Sequence, residues 1–145
     1  PAELAASRFA EGYSCSQAVF SVYAARLGLD EPTALKISSG FGGGMGRMAE
    51  TCGAVTGAFM VLGLRFGTTS TDRAEKEAMV ARIRDFVGRF QTRNSAIACR
   101  ELLGCDISTS QGQQEARDKG LFTTLCPKFV RDACEILDEL LQANP

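Results

Sequence analysis

One stretch of this chain resists helix formation, and almost everything else favours it. Gly40-Phe41-Gly42-Gly43-Gly44-Met45-Gly46 places five glycines in seven residues. Each glycine in a helix interior costs roughly 0.5–1 kcal/mol relative to alanine, so this segment reads as a loop whose backbone closely approaches something. On both sides of it apolar residues recur at helical spacing, and side-chain caps punctuate them. The pattern predicts an all-α, single-domain helical bundle of about six to eight helices, with the glycine-rich loop placed before the helix that carries Cys52. A length of 145 residues suits one domain with a real core.

The caps divide the chain. A first helix is expected over 2–11, ending near Gly12. Ser14 and Gln17 form an S-x-x-Q capping box that opens a second helix, with Ala18, Val19, Val22, Tyr23 and Leu27 on its apolar face. Asp30 caps a third, with Pro32 in its first turn. Thr51 is the expected cap of a fourth, running through Cys52, Gly53 and Gly57 to about Phe66. Gly53 and Gly57 share one face, which suits close approach of another backbone, room for a cofactor, or a homodimer contact. Thr71 or Asp72 caps a long amphipathic helix to about Arg93, with Ala74, Ala78, Met79, Ile83, Phe86, Val87 and Phe90 as its buried stripe. A short segment over 97–103 carries Cys99 and ends at Gly104, and residues 108–110 cap a small polar helix. Cys126 caps the last helix, Pro127 occupies its first position, and Cys134 lies on its apolar stripe. Only residues 121–125 compete as a strand.

Charge narrows the function. With 16 basic and 17 acidic residues the chain has no excess to neutralise phosphates, so nucleic-acid binding is not expected. No charged-then-apolar leader pattern and no apolar run of about 18 residues is present, so a cytoplasmic protein without membrane insertion is expected.

Six cysteines and no histidine narrow it further. Without histidine there is no Ser-His-Asp or Cys-His pair, no mixed Cys/His zinc site and no His-ligated haem. Cys15, Cys52, Cys99 and Cys126 fall where helices are expected to begin. Unpaired N–H groups and aligned peptide dipoles favour a thiolate there. Thiolates are both redox nucleophiles and soft metal ligands, so these four are the candidate catalytic residues and the candidate metal ligands. Cys105 and Cys134 read as spectators. Arg47, Arg100 and Lys128 are near three of the four in sequence and would lower thiol pKa. Gly42, Gly43, Gly44, Gly46 and Gly53 are the candidate cofactor-binding positions, as a run of N–H groups able to cradle anionic sulfur. The loop fits neither a P-loop nor G-x-G-x-x-G. Glu50, two residues before Cys52, is the carboxylate best placed for acid–base duty.

Cys52-Gly53-Ala54-Val55-Thr56-Gly57, following the glycine run, resembles the redox-active proteins of the C_GCAxxG_C_C family. The resemblance extends to Gly12-Tyr13-Ser14-Cys15-Ser16-Gln17-Ala18, to Cys99-Arg100-Glu101-Leu102-Leu103-Gly104, and to Cys126-Pro127-Lys128-Phe129-Val130. Matched motif by motif, the four cysteines of the family name fall on Cys15, Cys52, Cys99 and Cys126. The resemblance implies electron transfer or thiol redox work, as an oxidoreductase or beside a redox partner protein. Two forms follow: an iron–sulfur cluster on four thiolates, or thiol/disulfide exchange by two of them. The alternatives are a structural metal-binding module, with zinc held by the four cysteines, and a helical partner-binding protein with inert cysteines.

Overall fold

The computed structural model describes residues 1–143. The helices are α1 (Ala2–Ala10), α2 (Cys15–Ala24), α3 (Glu31–Ser38), α4 (Gly53–Phe66), α5 (Arg73–Asn94), α6 (Cys99–Leu103), α7 (Ser110–Asp118), α8 (Leu121–Thr124) and α9 (Cys126–Ala143). The all-α expectation holds: among the described residues, extended pairing is confined to one antiparallel bridge between Thr51 and Ala98. Also among them, no helix is long and apolar enough to cross a membrane.

Local capping chemistry sets most of the boundaries. The Ser14 N–H donates to Gln17 Oε1 at 3.0 Å and the Gln17 N–H donates to Ser14 Oγ at 3.4 Å, so both halves of the capping box form. Asp30 accepts from the Thr33 N–H and Asp72 from the Glu75 N–H. Three expectations are corrected. Thr51 does not cap α4: it stands in the bridge with Ala98, and the helix begins one residue later than expected, so Cys52 takes the N-cap position with φ −53° and ψ 137°. Residues 121–124 form a helical turn launched by Gly120 at φ 67°, not a strand. The stripe of α5 is fully buried only at Phe86 and Phe90; Met79, Ile83 and Val87 are half-buried, and Ala74 and Ala78, in the first two turns, are exposed.

The core forms where α2 lies on α4. A Cβ built on Gly57 would sit 2.8 Å from the Ser16 carbonyl oxygen, and one on Gly53 would sit 2.9 Å from the Ser16 nitrogen. The small-residue face of α4 therefore admits the backbone of α2 itself. Ser16 is buried there, and its hydroxyl donates to the Ser38 carbonyl at 2.8 Å, tying α3 to the same crossing. The long helix α9, with a strongly one-sided apolar face, closes the bundle. Buried Tyr23 holds it by a hydroxyl 2.8 Å from both the Cys134 carbonyl and Asp138 Oδ1. Phe59, Phe86, Phe90 and Phe129 continue the core across α4, α5 and α9, with successive ring centroids 6.2, 6.1 and 6.3 Å apart.

Candidate functional site

The glycine run forms a left-handed spiral. Gly43, Gly44, Met45, Gly46 and Arg47 are consecutive, and their φ angles all lie between 61° and 73°. An L-residue in this conformation costs roughly 1–2 kcal/mol, which glycine avoids, so three glycines in five residues make such a turn accessible. The spiral closes on itself: the N–H groups of Gly46, Ala49 and Glu50 donate to the carbonyls of Gly40, Gly43 and Gly44 at 2.8, 3.1 and 2.9 Å. A Cβ on Gly44 would lie 2.5 Å from the Glu50 nitrogen, and one on Gly42 would lie 2.4 Å from Ser14 Cβ. Glycine is thus required both by handedness and by the closeness of the loop to the start of α2.

The strand-like residues after the spiral pin it to α6. The Cys52 N–H donates to the Ile97 carbonyl at 2.8 Å, and the Cys99 N–H to the Glu50 carbonyl at 2.6 Å. Arg100 grips the same segment: its Nε donates to the Ala49 carbonyl at 3.1 Å, and Nη2 to the Met48 carbonyl at 3.1 Å and to Glu50 Oε1 at 3.0 Å. Glu50 is committed to that ion pair and does not line the cavity described next, so the acid–base duty expected of it has no support in its position.

Cys15, Cys99 and Cys126 are the first residues of α2, α6 and α9, and Cys52 is the N-cap of α4. All four line one cavity of about 280 Å³. Their relative exposures run only from 5 to 9 %, and all are free thiols. Cys105 and Cys134 are buried away from the cavity. Of the five glycines singled out by sequence, Gly43, Gly44 and Gly53 line the cavity; Gly42 and Gly46 do not. The Gly46 N–H is consumed inside the spiral, which removes it from any cradle for sulfur. Phe9, Leu102, Ile107, Phe122 and Phe129 supply apolar wall, and Arg47 and Arg117 supply positive charge.

The four sulfurs are electrostatically unequal. A hydrogen bond between the Cys15 and Cys126 thiols holds Cys126 below the ordinary thiol range and pushes Cys15 well above it, with burial adding to the rise at Cys15. Cys126 is therefore the more acidic thiol of the pair. Burial raises Cys52 to about 11 against the opposing N–H groups of Ala54 and Val55, and raises Cys99 to about 12 against the weaker pull of Arg100. The expectation of four stabilised thiolates is thus corrected: at Cys52 and Cys99 desolvation outweighs the helix terminus. Lys128 does not act on the site either, being engaged by Asn94 and Asp132 at 2.6 and 2.7 Å. Among the described residues, no three Cys, Asp or Glu side chains are grouped so as to hold a metal ion. The donors have the right chemistry for iron or zinc, but their spacing does not fit a single ion.

Sequence reasoning missed Arg117 and Gln113, which reach the cavity from α7. The polar composition of that helix hid them. The available signal was the small pair Gly112 and Ala116, which are buried and mark its inward edge beside Gln113 and Arg117.

The sequence model of one protein family, described as "Putative redox-active protein (C_GCAxxG_C_C)", matches residues 13–140. That span contains all four cavity cysteines, the spiral and α9 up to Leu140. Neither the curated proteins nor the solved structures include a match.

Proposed function

This chain belongs to the C_GCAxxG_C_C family, and from that premise we propose that it is a thiol redox protein whose exchanging pair is Cys15 and Cys126. One observation carries the proposal: two thiols on the first residues of separate helices line one cavity, where their mutual influence lowers Cys126 and raises Cys15. A lowered thiol backed by a neighbouring one is the arrangement that thiol–disulfide exchange requires, an attacking thiolate and a resolving thiol. In the oxidising direction the Cys126 thiolate attacks a disulfide sulfur and forms a mixed disulfide, expelling one thiolate. Cys15 then loses its proton and attacks Cys126, expelling the second thiolate. The pair gives up two electrons and ends as one S–S bond. Cys52 and Cys99, held protonated by burial, keep the cavity from accumulating negative charge. We assign this couple to the cytoplasm, where thiols are kept reduced.

The test is a thiol inventory. Reduced protein, isolated without oxygen, is equilibrated with a disulfide oxidant and its free thiols are counted. Peptide mapping then locates the new bond. The expected result is a loss of two thiols per chain and a Cys15–Cys126 crosslink, both abolished in Cys126→Ser. An unchanged count, or a bond between other cysteines, refutes the assignment. Iron and acid-labile sulfide measured on the same anaerobic sample distinguish cluster ligation by the four thiols, and their presence at stoichiometric level would replace the dithiol reading.

A further inference from the structure

The same cavity carries a second kind of information, in its charge. Arg47 and Arg117 line it from opposite parts of the chain, the spiral and α7, and no Asp or Glu lines it among the described residues. Among those residues neither guanidinium is engaged by a carboxylate; Arg117 makes a 3.4 Å hydrogen bond to the neutral Gln114. Both side chains are exposed, whereas the sulfurs inside are at most 9 % exposed. The cavity is therefore a buried set of thiols between apolar walls, reached past two uncompensated positive charges. Its volume of about 280 Å³ lies at the small end of ligand sites, and thiols this recessed suit a small disulfide better than one embedded in a protein surface. Cations at the entrance of a low-dielectric cleft raise the local concentration of anions and their rate of entry.

Resting on the dithiol reading above, we infer that the substrate of this site is a low-molecular-weight disulfide bearing carboxylates or similar anionic groups, which Arg47 and Arg117 receive while an S–S bond reaches Cys126. The balance is one substrate disulfide reduced to two thiols, with the protein pair oxidised to one disulfide. Of the two thiolates expelled, one takes up the proton given by Cys15 and leaves as the thiol, and the other takes its proton from solvent. The anionic groups remain at the arginines, and only the apolar segment carrying the S–S bond has to enter between Phe9, Phe122 and Phe129.

The experiment measures the second-order rate at which reduced protein forms the Cys15–Cys126 bond with three disulfides of similar size: dianionic dithiodipropionate, neutral hydroxyethyl disulfide and dicationic cystamine. Each rate is divided by the rate of the same disulfide with dithiothreitol, which removes intrinsic reactivity. At about 0.01 M ionic strength the dianion is expected to exceed the neutral compound by about tenfold or more. The ratio is expected to collapse toward unity near 0.5 M salt, where screening is nearly complete. The double variant Arg47→Glu/Arg117→Glu is expected to invert the order in favour of cystamine. Arg117→Gln alone, a change in a regular helix that leaves the spiral untouched, is expected to cut the dianion preference several-fold. No preference for the dianion, or a preference that survives both variants and high salt, overturns the inference and leaves the dithiol couple standing. Failure of all three disulfides to produce the Cys15–Cys126 bond overturns both.

Discussion

Two glycines on one helix give opposite predictions when each is replaced by alanine. Gly57 and Gly63 both lie in α4, so both gain the roughly 1 kcal/mol by which alanine exceeds glycine in a helix interior. Their surroundings differ. A Cβ at Gly63 meets nothing within 4 Å. At Gly57 it would stand 2.8 Å from the Ser16 carbonyl oxygen and 3.2 Å from both Ser16 Cα and Val19 Cβ. Two of those neighbours are backbone atoms of α2, and Ser16 is held further by its 2.8 Å bond to the Ser38 carbonyl. The helices must therefore separate as bodies, an overpacking cost of about 1–3 kcal/mol. Gly63→Ala should stabilise by about 1 kcal/mol, and Gly57→Ala should fall below it by about 1–3 kcal/mol, a net loss of about 1 kcal/mol against the parent. Urea unfolding of the reduced proteins, followed by circular dichroism because the chain has no Trp, reads this as midpoints shifted in opposite directions at unchanged slope. In thermal scans each kcal/mol corresponds to about 2–4 °C for a chain of this size. Equal midpoints for the two variants would refute the claim that backbone-on-backbone approach of α2 and α4 is what Gly57 serves.

Three further outcomes follow from the geometry. Arg100→Ala removes the grip on the Met48 and Ala49 carbonyls and on Glu50, and should cost about 1–2 kcal/mol in urea unfolding; Arg100→Lys, lacking the forked geometry, should recover only part of it. Stability should decline as pH rises from about 8.5 toward 11–12, because unfolded thiols ionise near the lower value while Cys52 and Cys99 stay protonated in the folded chain to about 11 and about 12. Cys52→Ala should flatten that decline in a pH series of unfolding midpoints, and an equally steep series would refute the assignment. Oxidation to the proposed Cys15–Cys126 bond closes a loop of about 110 residues and should raise stability by about 4–5 kcal/mol on the chain-entropy model. Oxidised and reduced samples unfolded side by side test this, and Cys15→Ser should show no difference between them.

Much of the fold was legible because local chemistry and long-range packing agree. The capping box at Ser14, the Asp30 and Asp72 caps and the stop at Gly104 are all local signals, and tertiary structure leaves them in force. Thr51 shows where that logic ends. Its hydroxyl is a good cap, but Thr51 stands in a bridge with Ala98, far along the chain, that leaves the N-cap to Cys52, and no local pattern announces such a partner. The four cysteines at helix starts are the ones that line the cavity, and Cys105 and Cys134 are not among its lining. Their protonation was not legible, since burial at Cys52 and Cys99 depends on how four helices converge. Arg117 was missed for a related reason: a charged residue on a polar helix looks the same in sequence whether it faces solvent or the rim of a cavity.

The left-handed spiral also has a consequence for how this chain can change by mutation. A single base change in a glycine codon leads to Ala, Val, Ser, Arg, Asp, Glu, Cys or Trp. Among these only Asp visits the left-handed region with any ease. At Gly43, Gly44 and Gly46, where φ is 65°, 73° and 61°, nearly every accessible replacement therefore carries a conformational penalty before any chemistry is considered. Met45 and Arg47 hold the same conformation at φ 64° and 61°, so the turn admits a side chain, but only at that penalty. The three glycines thus serve the hand of a backbone turn, a requirement separate from that of the thiols lining the cavity beside it.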